Sequence, residues 1–584
     1  MPPATSRALV RVPLAAVAFL ALADTAIVAL ALPPILLELD TDVAGVAAVL
    51  GVYAVVLAVA LLPAERLGRA LGIRPLGLAG VALFGVGSLV CGLADTLGLL
   101  LVARGVQALG GAALLVTTHA VLVGAPQGGT GAQGHGLQLW RMAVLLGTAA
   151  GPAIGGALTQ ALGWRSIFFV QAPAALAAVP GCLAASDVRL RPPRRATPSD
   201  SRRPLVLRFA ALGLISGAIA AALFLTVLLV ISGWGIEPLP AALVVSVMPL
   251  SALAALRIRG QASARAAAGG VLVAAGAAAL AFLPTASVAW TIPPQLAVGI
   301  GMGLALGALA GELLPDRDGH ESARLLTMRH AGIALALLIL APIAQHEIDT
   351  TLQDARLRGA ALILDARIDP QLKLELAPRL STSIETEDPR GGLEKVFADA
   401  RGDVDEDQLA AYDDLTQRAD DLLVTSVDEG FRTAFLVAAA LALLGAVLLV
   451  IAAIPAASGF AGALADDAAF PTRVRRGARV LGLVVLGSVI GVAAFAAVAS
   501  AARPEPVQIA DPCDHRDLPS TGGLTGFAQD AALRAADVVA CEVGSSREEL
   551  VLALADDQSA REYQQRYGVN PRSALDIAKQ FLPG

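Results

Sequence analysis

The sequence predicts an all-α integral membrane protein, on three observations. Of 584 residues, 56% are hydrophobic and only 16% charged, where soluble domains carry about a quarter of charged residues. Mean hydropathy is +0.68. Thirteen apolar runs of about 20 residues follow one another, each long enough as a helix to cross roughly 30 Å of hydrocarbon. Arginine is concentrated in alternate connections between those runs, the pattern that sets orientation in a bilayer.

The first run, 12–36, is too long for a removable signal peptide and has no A-x-A site after a short core. Runs 43–63 and 75–94 flank a connection holding Arg66, Arg69 and Arg74, and runs 97–123, 137–161 and 165–186 complete a group of six. A long connection then carries Arg189, Arg191, Arg194, Arg195, Arg202 and Arg203. Runs 205–232, 239–256, 268–285, 287–310 and 326–345 follow, with Arg257, Arg259 and Arg265 after the eighth. Arg329 and His330 interrupt the eleventh. The twelfth run, 431–455, and the thirteenth, 477–500, are joined by a loop that ends in Arg473, Arg475 and Arg476. The alternate connections hold Glu38, Asp40, Asp42, Asp95 and Glu237, so the N-terminus is expected in the cytoplasm and the C-terminus outside.

These runs divide the chain into eight parts. A six-helix bundle occupies 1–186, a cytoplasmic linker 187–204, and five helices of a second bundle 205–345. An extracytoplasmic helical insertion at 346–430 precedes the twelfth helix, 431–455. A cytoplasmic loop, 456–476, leads to the thirteenth helix, 477–500, and an extracytoplasmic module fills 501–584. Both outer segments have apolar residues at three- and four-residue steps, as in EIDTTLQDARLRGAALILDA and SREELVLALADD. The 346–430 segment, acidic at DVDEDQLAAYDD, abuts the eleventh and twelfth runs, whose helices are expected to continue outward as a stalk or cap, with a solvated connector as the alternative. Cys513 and Cys541 both fall in the outer tail, where a disulfide persists, while Cys91 and Cys182 fall in apolar runs as small hydrophobes. The tail's Leu518-Pro519-Ser520-Thr521-Gly522 matches a cell-wall sorting signal, but a charged module follows where an apolar span should, so it reads as a chance match.

Several function classes drop out. Only three lysines occur, Lys373, Lys395 and Lys579, and none stands in a G-x-x-x-x-G-K-[ST] loop, so ATP is not expected as a partner. No basic stripe is interleaved with aromatics, so neither is nucleic acid. There is no G-x-S-x-G and no metal-spaced His or carboxylate set, which argues against a membrane-embedded enzyme and against a metal.

The loop PAERLGRALGIR after the second run has a counterpart, RIRGQASAR, after the eighth, about 190 residues on. Two six-helix halves with corresponding basic loops are what parallel transporter repeats predict. Four stretches of the first half then carry a resemblance: ADTAIVALALP (23–33) with Asp24, ARGVQALGGAA (103–113) with Arg104 and Gln107, GTAAGPAIGG (147–156), and GWRSIFFVQAP (163–173). On these the chain resembles the major facilitator superfamily, and within it the drug:proton antiporter branch. One departure lies in the loop after the second helix, where Arg69 replaces the usual aspartate of a gating motif that here comprises Glu65, Arg66, Arg69 and Gly72. Glu65, four residues before Arg69, is placed to supply the acid.

The resemblance implies the major facilitator fold of two six-helix bundles, here with one extra C-terminal transmembrane helix and two extracytoplasmic helical segments. It implies a bacterial plasma-membrane exporter of hydrophobic or amphipathic small molecules, with no cofactor and the proton as coupling ion. Asp24 lies mid-span, where an ionised carboxylate costs about 2.5–3.5 kcal/mol, so it should face a cavity or be protonated. Proton coupling is its expected role, a structural hydrogen bond the alternative. Arg104 and Gln107, three apart, project from one helix face, and the arginine would time proton release or else snorkel to the outer interface. Gly147, Gly151, Gly155 and Gly156 with Pro152 give a bent, closely packed helix suited to rocking between halves. Arg141, and Arg329 with His330, are further candidates for the transport path or for the cytoplasmic interface, and His119 reads as a packed polar residue. Two other readings stand beside drug export: an exporter of lipid or cell-envelope precursors, with an envelope partner for the outer domains, and a receptor or scaffold that keeps the fold without transport.

Overall fold

In a computed structural model the chain is helical, and residues 4–124, 130–185, 202–313, 319–373, 389–454, 470–502, 507–516, 523–555 and 557–573 are described, with 188, 190, 376, 379 and 518. At some helical positions, among them 141 and 147, only the backbone is described. Most of the linker 187–204, most of the loop 456–476 and most of the Leu518–Gly522 match lie outside the described residues.

The first half opens with α1 (Ala4–Ala29) and α2 (Leu32–Glu38). The expected single run 12–36 is broken because Pro33 and Pro34 lack the N–H groups a continuous helix needs. Next come α3 (Val43–Leu71), α4 (Ile73–Gly92), α5 (Leu97–His119) and α6 (Thr130–Leu162). Asp42 caps α3 by accepting from the Gly45 N–H at 2.7 Å, and Thr96 caps α5 by accepting from the Leu99 N–H at 3.3 Å. The α3–α4 connection is Gly72 alone at φ 98°, a left-handed conformation that favours glycine. The sixth expected run is split into α7 (Arg165–Leu176) and α8 (Val179–Leu183).

The second half comprises α9 (Arg202–Leu228), α10 (Pro238–Val245), α11 (Val247–Ala255), α12 (Ala262–Leu280) and α13 (Val288–Leu313). The break at Ser246 follows from Pro249, which cannot donate to the Val245 carbonyl four residues back. Then come α14 (Gly319–Asp365, 47 residues), α15 (Pro389–Ala400), α16 (Leu409–Ala453, 45 residues) and α17 (Phe470–Ala502). The tail holds α18 (Gly523–Val543), α19 (Arg547–Ala555) and α20 (Asp557–Tyr567). Twelve helices among the described residues are long and apolar enough to cross a membrane, and α6, at 33 residues, covers the expected run 137–161. The apolar window of α17 is wholly unburied, as suits a peripheral helix bathed in lipid.

The chain forms two compact units. The first holds residues 1–231, 236–345 and 432–501. In it α1 packs on α6, α5 on α3 and α4, and α13 on α11 and α12, while α6 crosses to α10 and α11 and so joins the halves.

The second unit holds 232–235, 346–431 and 502–584, so two segments far apart in sequence fold as one. The described residues of 346–430 pack within this unit. Tyr412 donates to the Phe397 carbonyl at 2.6 Å, and Arg390 holds Asp420 through two bonds of 2.8 Å. In the tail Val539, Leu550, Ala553 and Tyr563 make a small core, and Cys513 is disulfide-bonded to Cys541. The buried Arg547 ties the tail to α14 by donating to Asp365 at 2.8 Å. Cys91 and Cys182 are buried free thiols.

Candidate functional site

Five helices of the first half converge on one ion pair. Asp24 from α1 and Arg104 from α5 are both wholly buried. The guanidinium grips the carboxylate with both ends, Nη1 to Oδ1 at 2.9 Å and Nη2 to Oδ2 at 2.6 Å. Its Nε donates to the Val49 carbonyl at 3.1 Å and Nη1 also to Gln107 Oε1 at 2.6 Å. Gln107 in turn donates to Ser88 Oγ on α4 at 2.9 Å and to Gln171 Oε1 on α7 at 2.6 Å. Gln171 closes the ring by donating to Asp24 Oδ1 at 3.3 Å. The Tyr53 ring lies 4.3 Å from the guanidinium carbon, and its hydroxyl donates to the Ala21 carbonyl at 3.0 Å. Arg104 is thus held by Asp24 and does not snorkel to an interface. A buried charge pair is tolerable only with such geometry and with its remaining hydrogen-bonding groups matched.

The glycine motif of α6 lies on α1 and on the second half. A Cβ on Gly155 would stand 2.2 Å from the Ile27 carbonyl oxygen, and one on Gly151 2.7 Å from Ala26 Cβ. Gly156 faces the other way, where a Cβ would meet Ala242 Cβ at 2.3 Å and the Pro238 carbonyl oxygen at 2.7 Å. Gly147 sits in the same helix, and the side chain of Arg141 is outside the described set. The second half repeats the device without the motif: a Cβ on Gly332 of α14 would stand 1.9 Å from the Gly213 carbonyl oxygen of α9, and one on Gly217 2.4 Å from the Gly332 carbonyl oxygen.

The seam between the halves is bridged at both ends. At one end Glu65, 1% exposed, pairs with Arg69 at 2.7 Å and lies 3.3 Å from His320 Nδ1 on α14. Arg66 beside them is exposed. At the other end Gln160 donates to Glu237 at 2.8 Å and accepts from the Leu239 N–H at 2.8 Å, and Gln345 accepts from the Val43 N–H at 2.8 Å. There too Glu38 accepts from Trp164 and Arg165, while Arg165 reaches the Ala94 carbonyl at 3.0 Å and Asp95 at 3.6 Å. Burial pushes the Glu38 carboxyl up, but these bonds and the Arg165 charge outweigh it and hold the group below its ordinary value.

Between the bridges lies a cavity shared by both halves, with about 60 Å³ for the centres of water-sized molecules. Leu22, Thr25 and Ala26 line it from α1, so Asp24 occupies a different face of that helix, turned to α5. Pro152 of the glycine motif lines it too, with Ser216, Met248, Met302, Arg329 and His330 of the second half. Arg329 therefore lines the cavity. His119 is buried against Trp140 at 5.2 Å between ring centres. The sequence reading missed Tyr53, Ser88, Ser216, Gly213, Gly217 and Gly332. A lone serine or tyrosine in an apolar run carries no period, although Gly213 and Gly217, four apart, were a packing signal.

Two helical halves closing on a shared cavity, with a buried ion pair beside it, define a multi-pass membrane protein of transporter fold. The chain belongs to the Major Facilitator Superfamily, whose family model matches residues 14–343, more than half of the sequence. Over 156 residues it is 38% identical to the multidrug resistance protein Stp of Mycobacterium tuberculosis, covering 26% of this chain and 29% of that protein. It is 38% identical over 168 residues to the tetracenomycin C resistance and export protein of Streptomyces glaucescens, covering 28% and 31%. It is 35% identical over 158 residues to the drug efflux pump JefA of M. tuberculosis, covering 26% and 30%. The matches thus span less than a third of each relative. A bacterial homologue of the human lysosomal transporter Spinster, in an inward-facing, occupied conformation, superposes with a TM-score of 0.54 at 16% identity, covering 77% of this chain and 97% of that one. That likeness concerns the fold.

Proposed function

We propose that the chain exports hydrophobic or amphipathic small molecules across a bacterial plasma membrane in exchange for protons. The observation that carries this reading is the Asp24–Arg104 pair, set on the helix whose other face lines the cavity. A proton on Asp24 replaces a doubly bonded carboxylate by a neutral acid that can accept from only part of the fork. The α1 helix is then freed to shift against α5 while its opposite face reshapes the cavity. The efflux names of three relatives support drug-like cargo, and the arginine-rich connections support an orientation with the Glu65–Arg69 end in the cytoplasm. The cavity is small beside the roughly 300–1,000 Å³ of ligand pockets, so one bridged end must part to admit cargo.

The test is uptake into proteoliposomes under an imposed pH gradient. Transport of a lipophilic dye should follow the gradient, and Asp24→Asn should bind the dye yet lose the gradient dependence. Gradient-driven transport by Asp24→Asn at the wild-type rate would remove the role given to Asp24.

A second reading has its own support. Residues 346–431 and 502–584, which make up nearly all of the disulfide-bonded unit, lie beyond the stretch that the family model covers, and export of lipid or envelope precursors would give them a docking role. Deleting 505–584 should then abolish lipid movement and spare dye export.

A further inference from the structure

We infer that the cavity receives the acidic group of its cargo on Arg329, so that the exported molecules are amphiphiles bearing a carboxylate, sulfonate or phosphate. This rests on the export reading and names its substrate class. Four polar side chains line the cavity, Thr25, Ser216, Arg329 and His330, and every other lining residue is apolar; no carboxylate is among them. Arg329 makes no hydrogen bond or ion pair to any described residue.

Two acids of the helical halves are already paired: Asp24 is held by Arg104, and Glu312 lies 3.4 Å from Arg208. His330 cannot serve as a counterion, and its Nδ1 is engaged with the Leu326 carbonyl at 2.8 Å. Ser216 Oγ is buried without a partner, although a serine in a helix can always turn to its own backbone. The Gly213 and Gly217 contacts with Gly332 bring the stretches carrying Ser216 and Arg329 together.

A cation inside a membrane protein is expensive unless an anion meets it, and the described lining of the cavity offers none. An acidic group entering the cavity would give Arg329 a bidentate partner and Ser216 an acceptor, while the aliphatic lining takes the apolar body. A lipophilic cation would meet like charge. The anion can belong to a soluble amphiphile or to a bilayer lipid, since both present the same chemistry.

The experiment uses the full chain in phosphatidylcholine nanodiscs and three matched probes: 2-naphthoate, 2-naphthamide and 2-naphthylmethylammonium. Fluorescence titration should show naphthoate binding roughly 10- to 100-fold more tightly than the amide, the range of a charged hydrogen bond. The ammonium should bind weakest. Arg329→Gln should level the three affinities and Arg329→Lys should keep most of the preference. Because Arg329 has no hydrogen bond or ion pair among the described residues to lose, Arg329→Gln should keep the wild-type melting temperature. Repeating the titration in phosphatidylglycerol nanodiscs separates the sources: weaker naphthoate binding marks an anionic lipid as cargo, unchanged binding a soluble amphiphile, and both support the acidic site. Equal affinities or a preference for the ammonium in the wild type, or a surviving preference in Arg329→Gln, overturns it. Asp24→Asn should retain the naphthoate preference even where it loses gradient coupling, so failure of the coupling reading leaves this measurement intact.

Discussion

Replacing Asp24 by leucine leaves the Arg104 guanidinium with neither countercharge nor water. The change removes two charge-assisted bonds, at 2.9 and 2.6 Å, leaving the Val49 carbonyl and Gln107 as acceptors and Nη2 with none. Removing one member of a buried ion pair costs about 3–5 kcal/mol, chiefly because the other is stranded. Arg104→Met strands Asp24 in the same way, with only the 3.3 Å bond from Gln171 remaining. The double variant Asp24→Leu/Arg104→Met strands neither charge, and exchanging a buried pair for apolar side chains is commonly neutral or stabilising. Each single variant should therefore lose about 3–5 kcal/mol, while the double stays within about 1 kcal/mol of wild type, a coupling well above that of independent sites. Denaturant unfolding in mixed micelles, followed by circular dichroism, measures all four corners of the cycle. Additive losses, or single variants within about 0.5 kcal/mol of wild type, would refute the reasoning. If the pair also carries the proton, the refolded double variant should bind cargo and leave it uncoupled from the pH gradient.

Other outcomes follow from neighbouring features. Gly156→Val forces a side chain into Ala242 and the Pro238 carbonyl, an overpacking worth about 1–3 kcal/mol against the closed seam. A cysteine placed at Thr25 should then become reactive to an impermeant thiol reagent from the Gln160–Glu237 end, and unchanged protection would contradict the contact. Cys513→Ser opens a loop of 28 residues and should cost the outer unit roughly 3–4 kcal/mol, read as faster proteolysis of 523–573. Burial holds the Lys373 ammonium at about 8, against an ordinary 10.5, with Asp365 opposing that shift and Arg547 adding to it. Between those two values the unfolded chain keeps a proton that the folded chain has released, so stability rises with pH through that window, by at most about 3 kcal/mol. Above pH 10 the sign reverses, because burial pushes the Tyr412 phenol up to about 12 and the folded chain keeps its proton longer. Urea-dependent proteolysis of 389–431 should accordingly shift to higher urea between about pH 7 and about pH 9.5, and a shift to lower urea would exclude this account.

The legible parts of the molecule were those where spacing repeats. Arg104 and Gln107 stand three apart and share a helix face, and the glycines of α6 recur every four residues, so both patterns survive in a single sequence. Tyr53, Ser88 and Gln171 come one to a helix, and their convergence is a property of packing that no window along the chain contains. The apolar runs located the membrane helices, and the helical patterning beside them marked α14 and α16 as running on past the apolar part, because helical hydrogen bonding continues where hydropathy stops. Nor could spacing show that the outer segments fold together, since the bond from Arg547 to Asp365 joins residues 182 positions apart. Arg329 was visible as a charge in an apolar run, while its place in the cavity depended on the Gly213, Gly217 and Gly332 contacts that orient its helix.

Those glycine contacts have a mechanical consequence. Where Gly332 meets Gly213 and Gly155 meets Ile27, backbone lies directly against backbone, with no Cβ on the glycine to intervene. Crossed helices held in this way can scissor like blades about a rivet, changing their angle without first climbing out of a set of notches. Such a rivet leaves a distinctive mark on a saturation scan. Gly155, Gly213, Gly217 and Gly332 should appear as isolated positions that reject every side chain, alanine included, each set among neighbours that accept most apolar residues.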